Sequence, residues 1–146
     1  MGKHFLYNQK HAATGEKLGR VGMVFIPDDS MMDRVPEWAV EVGPHPVPED
    51  KEGAYFEAWE LSDNGEVTVD VEKAKVIRME WLRKRRDSLL EHLDIMQFRY
   101  YCSKDQEGIA KVEEEKQELR DFPERVNWDV ITTLHDVKHI LPPIMI

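Results

Sequence analysis

Val71-Glu72-Lys73-Ala74-Lys75-Val76-Ile77-Arg78-Met79-Glu80-Trp81-Leu82-Arg83-Lys84-Arg85-Arg86-Asp87-Ser88-Leu89-Leu90-Glu91-His92-Leu93-Asp94-Ile95-Met96-Gln97-Phe98 contains neither glycine nor proline. Leu82, Leu89, Leu93 and Met96 recur at spacings of 7, 4 and 3, which place them on one face of an α-helix. Ala74, Ile77 and Trp81 continue an adjoining stripe toward the N-terminus. A second helix is expected from about Asp105 to Arg120, with Ile109, Val112 and Leu119 as its apolar stripe. Its opposite face carries Lys111, Glu113, Glu114 and Glu118, and Pro123 is expected to stop it. Gly108 weakens its first turn by roughly 1 kcal/mol relative to alanine. The connection at about 99–104 is short, so the two helices are expected to lie antiparallel, each burying its stripe on the other. Such a pair cannot balance chain entropy alone and should lean on the N-terminal half, a second copy or a partner.

The texture before residue 70 is different. Seven of the eight glycines lie there, and prolines at 27, 36, 44, 46 and 48 interrupt the rest, so no long helix is expected. Short strands are expected at His4–Tyr7 and Arg20–Ile26, the second ended by Pro27 and Asp28-Asp29-Ser30. A hairpin is expected from Ala54–Leu61 through Ser62-Asp63-Asn64-Gly65 to Glu66–Asp70. In it Asn-Gly would supply the two positive-φ positions of a tight turn. Residues 43–53, rich in proline, read as an extended connector. After residue 123 the chain looks irregular: Trp128–Leu134 has a β-rich composition, Asp136–Leu141 could form one helical turn, and the apolar terminus Pro142-Pro143-Ile144-Met145-Ile146 reads as a docking tag.

The chain of 146 residues can hold one ordinary domain or a small domain with an added module. Its net charge of −9 is uneven. Residues 1–70 hold six Lys/Arg against fourteen Asp/Glu, a balance of −8; residues 71–146 hold fourteen against fifteen, a balance of −1. An acidic front half repels phosphate, so no general nucleic-acid partner is expected. No apolar run approaches the roughly 18 residues of a membrane span, and no membrane partner is expected either. Cys102 is the only cysteine, so there is no intramolecular disulfide.

Arg83-Lys84-Arg85-Arg86 is the strongest positive cluster, and a nucleic-acid regulator would use it. Four consecutive helical positions point in different directions, however, and Glu80, Asp87 and Asp94 stand close enough for helical ion pairs. His135 and His139 have the spacing of two helix-borne metal ligands, which a small metal-dependent hydrolase would need. The catalytic glutamate of the metalloprotease pattern is missing and no third ligand is identifiable, so the bland reading is preferred. His11 and His45 have no evident partner, and Cys102 reads as a half-buried loop cysteine beside two tyrosines. There is no nucleophile elbow and no glycine-rich phosphate loop. Catalytic residues, cofactor and metal are all expected to be none. Trp38, Trp59, Trp81 and Trp128 are core anchors by default and contact anchors wherever exposed.

Three runs carry a resemblance: Val71–Lys75, Leu82-Arg83-Lys84-Arg85-Arg86-Asp87-Ser88-Leu89-Leu90 with Leu93-Asp94, and Lys116-Gln117-Glu118-Leu119-Arg120-Asp121-Phe122-Pro123. Together they are similar to the bacteriophage tail assembly chaperone family and to the C-terminal ends of some tail-fibre proteins. The family pattern is an Arg-x-x-Arg-Asp-x-Leu-Leu first helix and a second helix ending Leu-Arg-Asp-x-Pro, with a β-hairpin upstream. The resemblance covers about residues 55–124. After Pro123 the family's short Trp-Pro ending is replaced by Asn127-Trp128-Asp129 and a longer apolar tail, and residues 1–54 match nothing in the pattern.

The resemblance implies a non-enzymatic tail or tail-fibre component, or an assembly factor, whose partners are other phage tail or tail-fibre proteins or a second copy of the chain. It would reside in the virion tail after synthesis in the host cytoplasm, or in the host cytoplasm alone as a transient chaperone. It further implies that Arg85 or Arg86 with Asp87, and Arg120 with Asp121, form an ion network across the hairpin. The expected fold is α+β: a β/loop-rich region at 1–70, a helical hairpin at 71–123 and an irregular tail at 124–146. The expected protein interface comprises Trp81, Leu82, Arg85, Arg86, Asp87 and Leu89 on the first helix. Leu93 of the first helix, Leu119, Arg120 and Asp121 of the second, and Ile144 and Ile146 complete it.

Overall fold

The computed structural model describes Gly2 to Pro142; the expected interface residues Ile144 and Ile146 lie outside the described residues. The fold is α+β, with small antiparallel sheets followed by two long helices. The chain forms two compact units, Met1–Ala74 and Lys75–Ile146.

In the first unit, β1 (Lys3–Lys10) lies between β2 (Lys17–Ile26) and β3 (Val40–Val42), antiparallel to both. The expected strands at 4–7 and 20–26 are both longer in fact. Pairing continues across a register shift from Asn8↔Val21 to Lys10↔Lys17, and Gly15 at φ 72 closes the turn between them. A second sheet pairs β4 (Trp59–Leu61) with β5 (Val67–Val69). Leu6, Val21, Val47, Trp59 and Leu61 form the buried core of this unit, with Phe56, Val67 and Val69 packed at its edge.

The hairpin differs from expectation in two ways. Only the last three residues of the expected strand 54–61 pair, because Phe56–Ala58 winds into a short 3-10 turn that carries Ala58 into the interior. The Asn-Gly pair does not supply two positive-φ residues either. Gly65 alone is left-handed, at φ 86, while Ser62 accepts the Gly65 N–H at 3.0 Å and donates its own N–H to the Glu66 carbonyl at 2.9 Å. The Asn64 side-chain carbonyl accepts from the Glu66 N–H and the Ser62 hydroxyl, so the asparagine holds a local turn at ordinary φ and leaves the reversal to glycine.

Residues 43–53 are not the extended connector their prolines suggested. Pro48–Asp50 forms a 3-10 turn, and the Asp50 carboxylate is fully buried. Its Oδ2 accepts the Tyr55 N–H at 2.8 Å and the Trp59 indole N–H at 3.0 Å. One carboxylate thus pins the loop to the core tryptophan, while its Oδ1 makes no hydrogen bond among the described residues.

The second unit contains most of α1 (Val71–Cys102) and all of α2 (Gln106–Arg125). Helix α1 runs past the expected end at 98, leaving Ser103–Asp105 as the connection, with Lys104 at φ 58. Helix α2 runs through Pro123 rather than stopping before it. A proline in the last turn removes a single donor, and this one lies with Met79, Leu82, Leu119, Phe122 and Pro142 around a small gap that Arg83 and Arg86 also line. The tail is more regular than expected. Trp128–Val130 is a 3-10 turn with no strand partner, and α3 (Leu134–Lys138) begins two residues before the expected turn at 136–141. Ile140 packs on Met79 and Leu82 of α1, with Phe122, Val126, Trp128 and Ile131 around them.

Candidate interaction surface

The helical hairpin closes on Leu93, Val112 and Leu119, with Leu89, Leu90, Met96 and Tyr100 packed against them. The face formed by Leu82, Leu89, Leu93 and Met96 is therefore the seam toward α2 and the tail. Leu82, Leu93 and Leu119 are 2%, 5% and 1% exposed. They were expected at an interface with a partner, but α2 and the tail already cover them, and Leu89 is half-buried beside them.

Lys116 is a polar member of the seam that the sequence reading missed. It completes a 3-4-3 spacing with Ile109, Val112 and Leu119 and is only 6% exposed. That spacing was visible, but a lysine does not register as an apolar position. Its methylenes lie in the seam while its ammonium donates to Gln97 Oε1 at 2.7 Å and pairs with Asp94. Gln97 in turn donates to Glu113 at 2.9 Å, which holds the Glu113 carboxyl below its ordinary range, with the charges of Lys116 and Arg120 acting the same way.

The expected ion network between 85–87 and 120–121 is not formed among the described residues. Arg86 pairs with the adjacent Asp87 at 3.4 Å, Arg120 reaches Glu113 at 3.6 Å, and Asp121 accepts from Gln117 and Arg125. The polar crossing of the hairpin sits nearer the loop, at Asp94, Gln97, Glu113 and Lys116. There the opposed side chains are long enough to meet over a seam already filled by leucine.

The outward face of α1 carries the apolar surface. Trp81, Ile95 and Phe98 are 46%, 54% and 68% exposed, and Tyr101 beside Phe98 is 71% exposed. Ser88, Glu91, His92, Arg99 and Cys102 are exposed as well. Positions 88, 91, 95, 98 and 102 follow spacings of 3, 4, 3 and 4, and 88, 92, 95, 99 and 102 follow spacings of 4, 3, 4 and 3, so together these two rows form one stripe. Cys102 is the exposed last residue of α1, not a half-buried loop cysteine. The sequence reading missed Ile95 and Phe98, because attention to the longest apolar periodicity picks the inner face of a helix that has two.

The remaining candidates are less open to a ligand. Arg78 and Arg85 flank the Trp81 ring, with guanidinium carbons 4.6 and 5.9 Å from its centroid, so within the cationic run 83–86 Arg85 lies over the ring, Arg86 pairs with Asp87, and Arg83 and Lys84 are exposed. The His135 and His139 rings lie 4.3 Å apart, but His139 Nδ1 is 2.7 Å from the His135 carbonyl oxygen. No third histidine, cysteine or carboxylate joins them among the described residues. In the first unit a cleft of about 170 Å³ is lined by Lys17, Arg20, Lys73 and Glu60. Each cation there is engaged: Lys17 by Asp63 at 2.8 Å, Arg20 by Gln9 at 2.9 Å, and Lys73 by the Gly19 carbonyl at 3.2 Å. Trp59 is the core anchor expected of a tryptophan, whereas Trp38 is 45% exposed, with Lys10 over its ring and its N–H donated to the Asn8 carbonyl.

No protein-family model, no curated protein and no solved structure matches this chain.

Proposed function

We propose that the chain is a non-enzymatic protein of tailed bacteriophages, a minor tail or tail-fibre component or an assembly factor, that works through protein–protein contacts. The observation that carries the contact role is the outward face of α1. It presents Trp81, Ile95 and Phe98 on a hairpin whose own seam is already closed by Leu93, Val112 and Leu119. Large apolar side chains grouped on a rigid element are what a partner surface anchors to. The placement in the tail rests on the similarity of the Arg-Asp-x-Leu-Leu and Leu-Arg-Asp-x-Pro runs to tail assembly proteins.

The test is quantitative mass spectrometry of purified particles and of tail intermediates from infected cells. A stoichiometric amount in particles makes the protein structural. Recovery with tail or fibre protein in the lysate, but not in particles, makes it a transient chaperone. Recovery with neither would end the proposal.

A further inference from the structure

We infer that the outward stripe of α1 is a homodimer surface, on which a second copy of this chain docks antiparallel with Ile95 at the two-fold axis. This goes beyond the tail assignment and rests only on the reading of the hairpin as a contact element.

The stripe is self-complementary. Glu91 and Arg99 stand four residues either side of Ile95 on the same stripe. Both are exposed, and neither belongs to an ion pair among the described residues. This contrasts with Asp87, Asp94, Glu113, Arg120 and Asp121, which are all engaged within the hairpin. When two α-helices pack antiparallel about one residue, positions equally far from it on opposite sides meet at the same height. Pairing about Ile95 therefore sets Glu91 of each copy across from Arg99 of the other, giving two reciprocal ion pairs. Phe98, at 68% exposure, comes to the height of His92, and Cys102 to that of Ser88. Every charge on the stripe between 88 and 102 then has an opposite across the interface, and its two most exposed apolar side chains are covered. A parallel arrangement in register would place Glu91 on Glu91 and Arg99 on Arg99. The isologous antiparallel form is the one in which the pattern agrees with itself.

Sedimentation of the full chain over a concentration series reads the dimer directly. The expected result is a monomer–dimer equilibrium that Ile95→Glu shifts to monomer while the far-ultraviolet circular dichroism stays the same. Glu91→Arg and Arg99→Glu alone each weaken association by roughly tenfold or more, because each sets like charges together twice. The double variant carrying both exchanges restores it to within a few-fold. Register is read by Ser88→Cys, which should cross-link to native Cys102 of the other copy on mild oxidation. In Ser88→Cys with Cys102→Ser no link should form, since the two introduced thiols lie about 21 Å apart along the helices. A monomer at all concentrations, a double variant no better than its parents, or no cross-link with Ser88→Cys would each overturn the pairing. A monomer that still accompanies tail proteins would sink this dimer and leave the tail assignment standing.

Discussion

A methyl group added at Gly108 would lie 2.6 Å from the Tyr100 ring. Helix propensity alone says that Gly108→Ala should gain up to about 1 kcal/mol, but the overlap should cost about 1–3 kcal/mol. We expect Gly108→Ala to lower stability in the native background and to raise it in a Tyr100→Ala background. Urea unfolding of the four-member cycle measures this, and additivity of the two changes would refute the contact. Lys116 makes a second residue-scale case. Lys116→Ala removes methylenes from the seam and should cost roughly 2 kcal/mol or more. Lys116→Met keeps the volume and forfeits only bonds to Asp94 and Gln97, whose other sides face water, so it should fall within about 1 kcal/mol of native. If Lys116→Met proved as damaging as Lys116→Ala, the ammonium and not its stem would be what the seam requires.

Among the elements, α3 shows how five residues hold a helix. Thr133 accepts the Asp136 N–H at 3.1 Å, and the Asp136 carboxylate accepts the Thr133 and Thr132 N–H groups at 3.2 and 3.1 Å. Thr133→Ala should cost about 1 kcal/mol and unravel this turn first, seen as loss of amide protection at Val137 and Ile140. The Thr132 N–H, with Thr133 behind it, holds the Asp136 carboxyl below its ordinary value of 3.8. The cap's contribution is therefore complete above that value and is lost as pH falls through the lower folded pKa. Amide exchange in α3 should rise only below about pH 3.8, and Asp136→Asn should remove that step. A step centred near neutral pH, or one that survives in Asp136→Asn, would refute this role of the carboxylate.

The long helices were legible because α1 carries 32 residues without a breaker and repeats its leucines at helical spacing. Their ends were less so: α1 continues to Cys102, with Tyr100 packed closely on Gly108, and α2 continues through Pro123, where a proline in the last turn removes a single donor. Strand β3 was missed because the alternation of Val40-Glu41-Val42 spans only three residues between prolines, and its pairing with His4–Leu6 is decided by β1. The buried Asp50 could not be told from its exposed neighbours Glu49 and Lys51 without knowing where Trp59 points. At the candidate surface the sequence reading chose Trp81 and Arg85 on the open side of α1. It placed the leucines of the closed side there too, since periodicity identifies a face without saying what covers it.

Charge is a property of the whole molecule, and it decides the reading of Arg83–Arg86. Of the net charge of −9, residues 1–70 hold −8, so a polyanion approaching this chain meets a repulsive field of the first unit's own making. Phosphate binding gains its affinity from several cations acting together on one groove, each releasing a counterion. Here the four cations are consecutive on a helix and so point to different sides; Arg85 stacks on Trp81 and Arg86 pairs with Asp87. No more than two of them can address one backbone, and they do so against the repulsion of the front half. We therefore expect no mobility shift of duplex DNA at about 0.15 M salt and up to roughly 100 μM protein, a concentration that reaches the weak end of nonspecific binding. A complex whose affinity fell linearly with the logarithm of salt concentration, and vanished in an Arg83→Ala, Lys84→Ala double variant, would return residues 83–86 to the list of functional groups. The near-neutral second unit suits protein contact better. Its own balance is only −1, so the residues that carry the stripe oppose a second copy far less than residues 1–70, with −8, would.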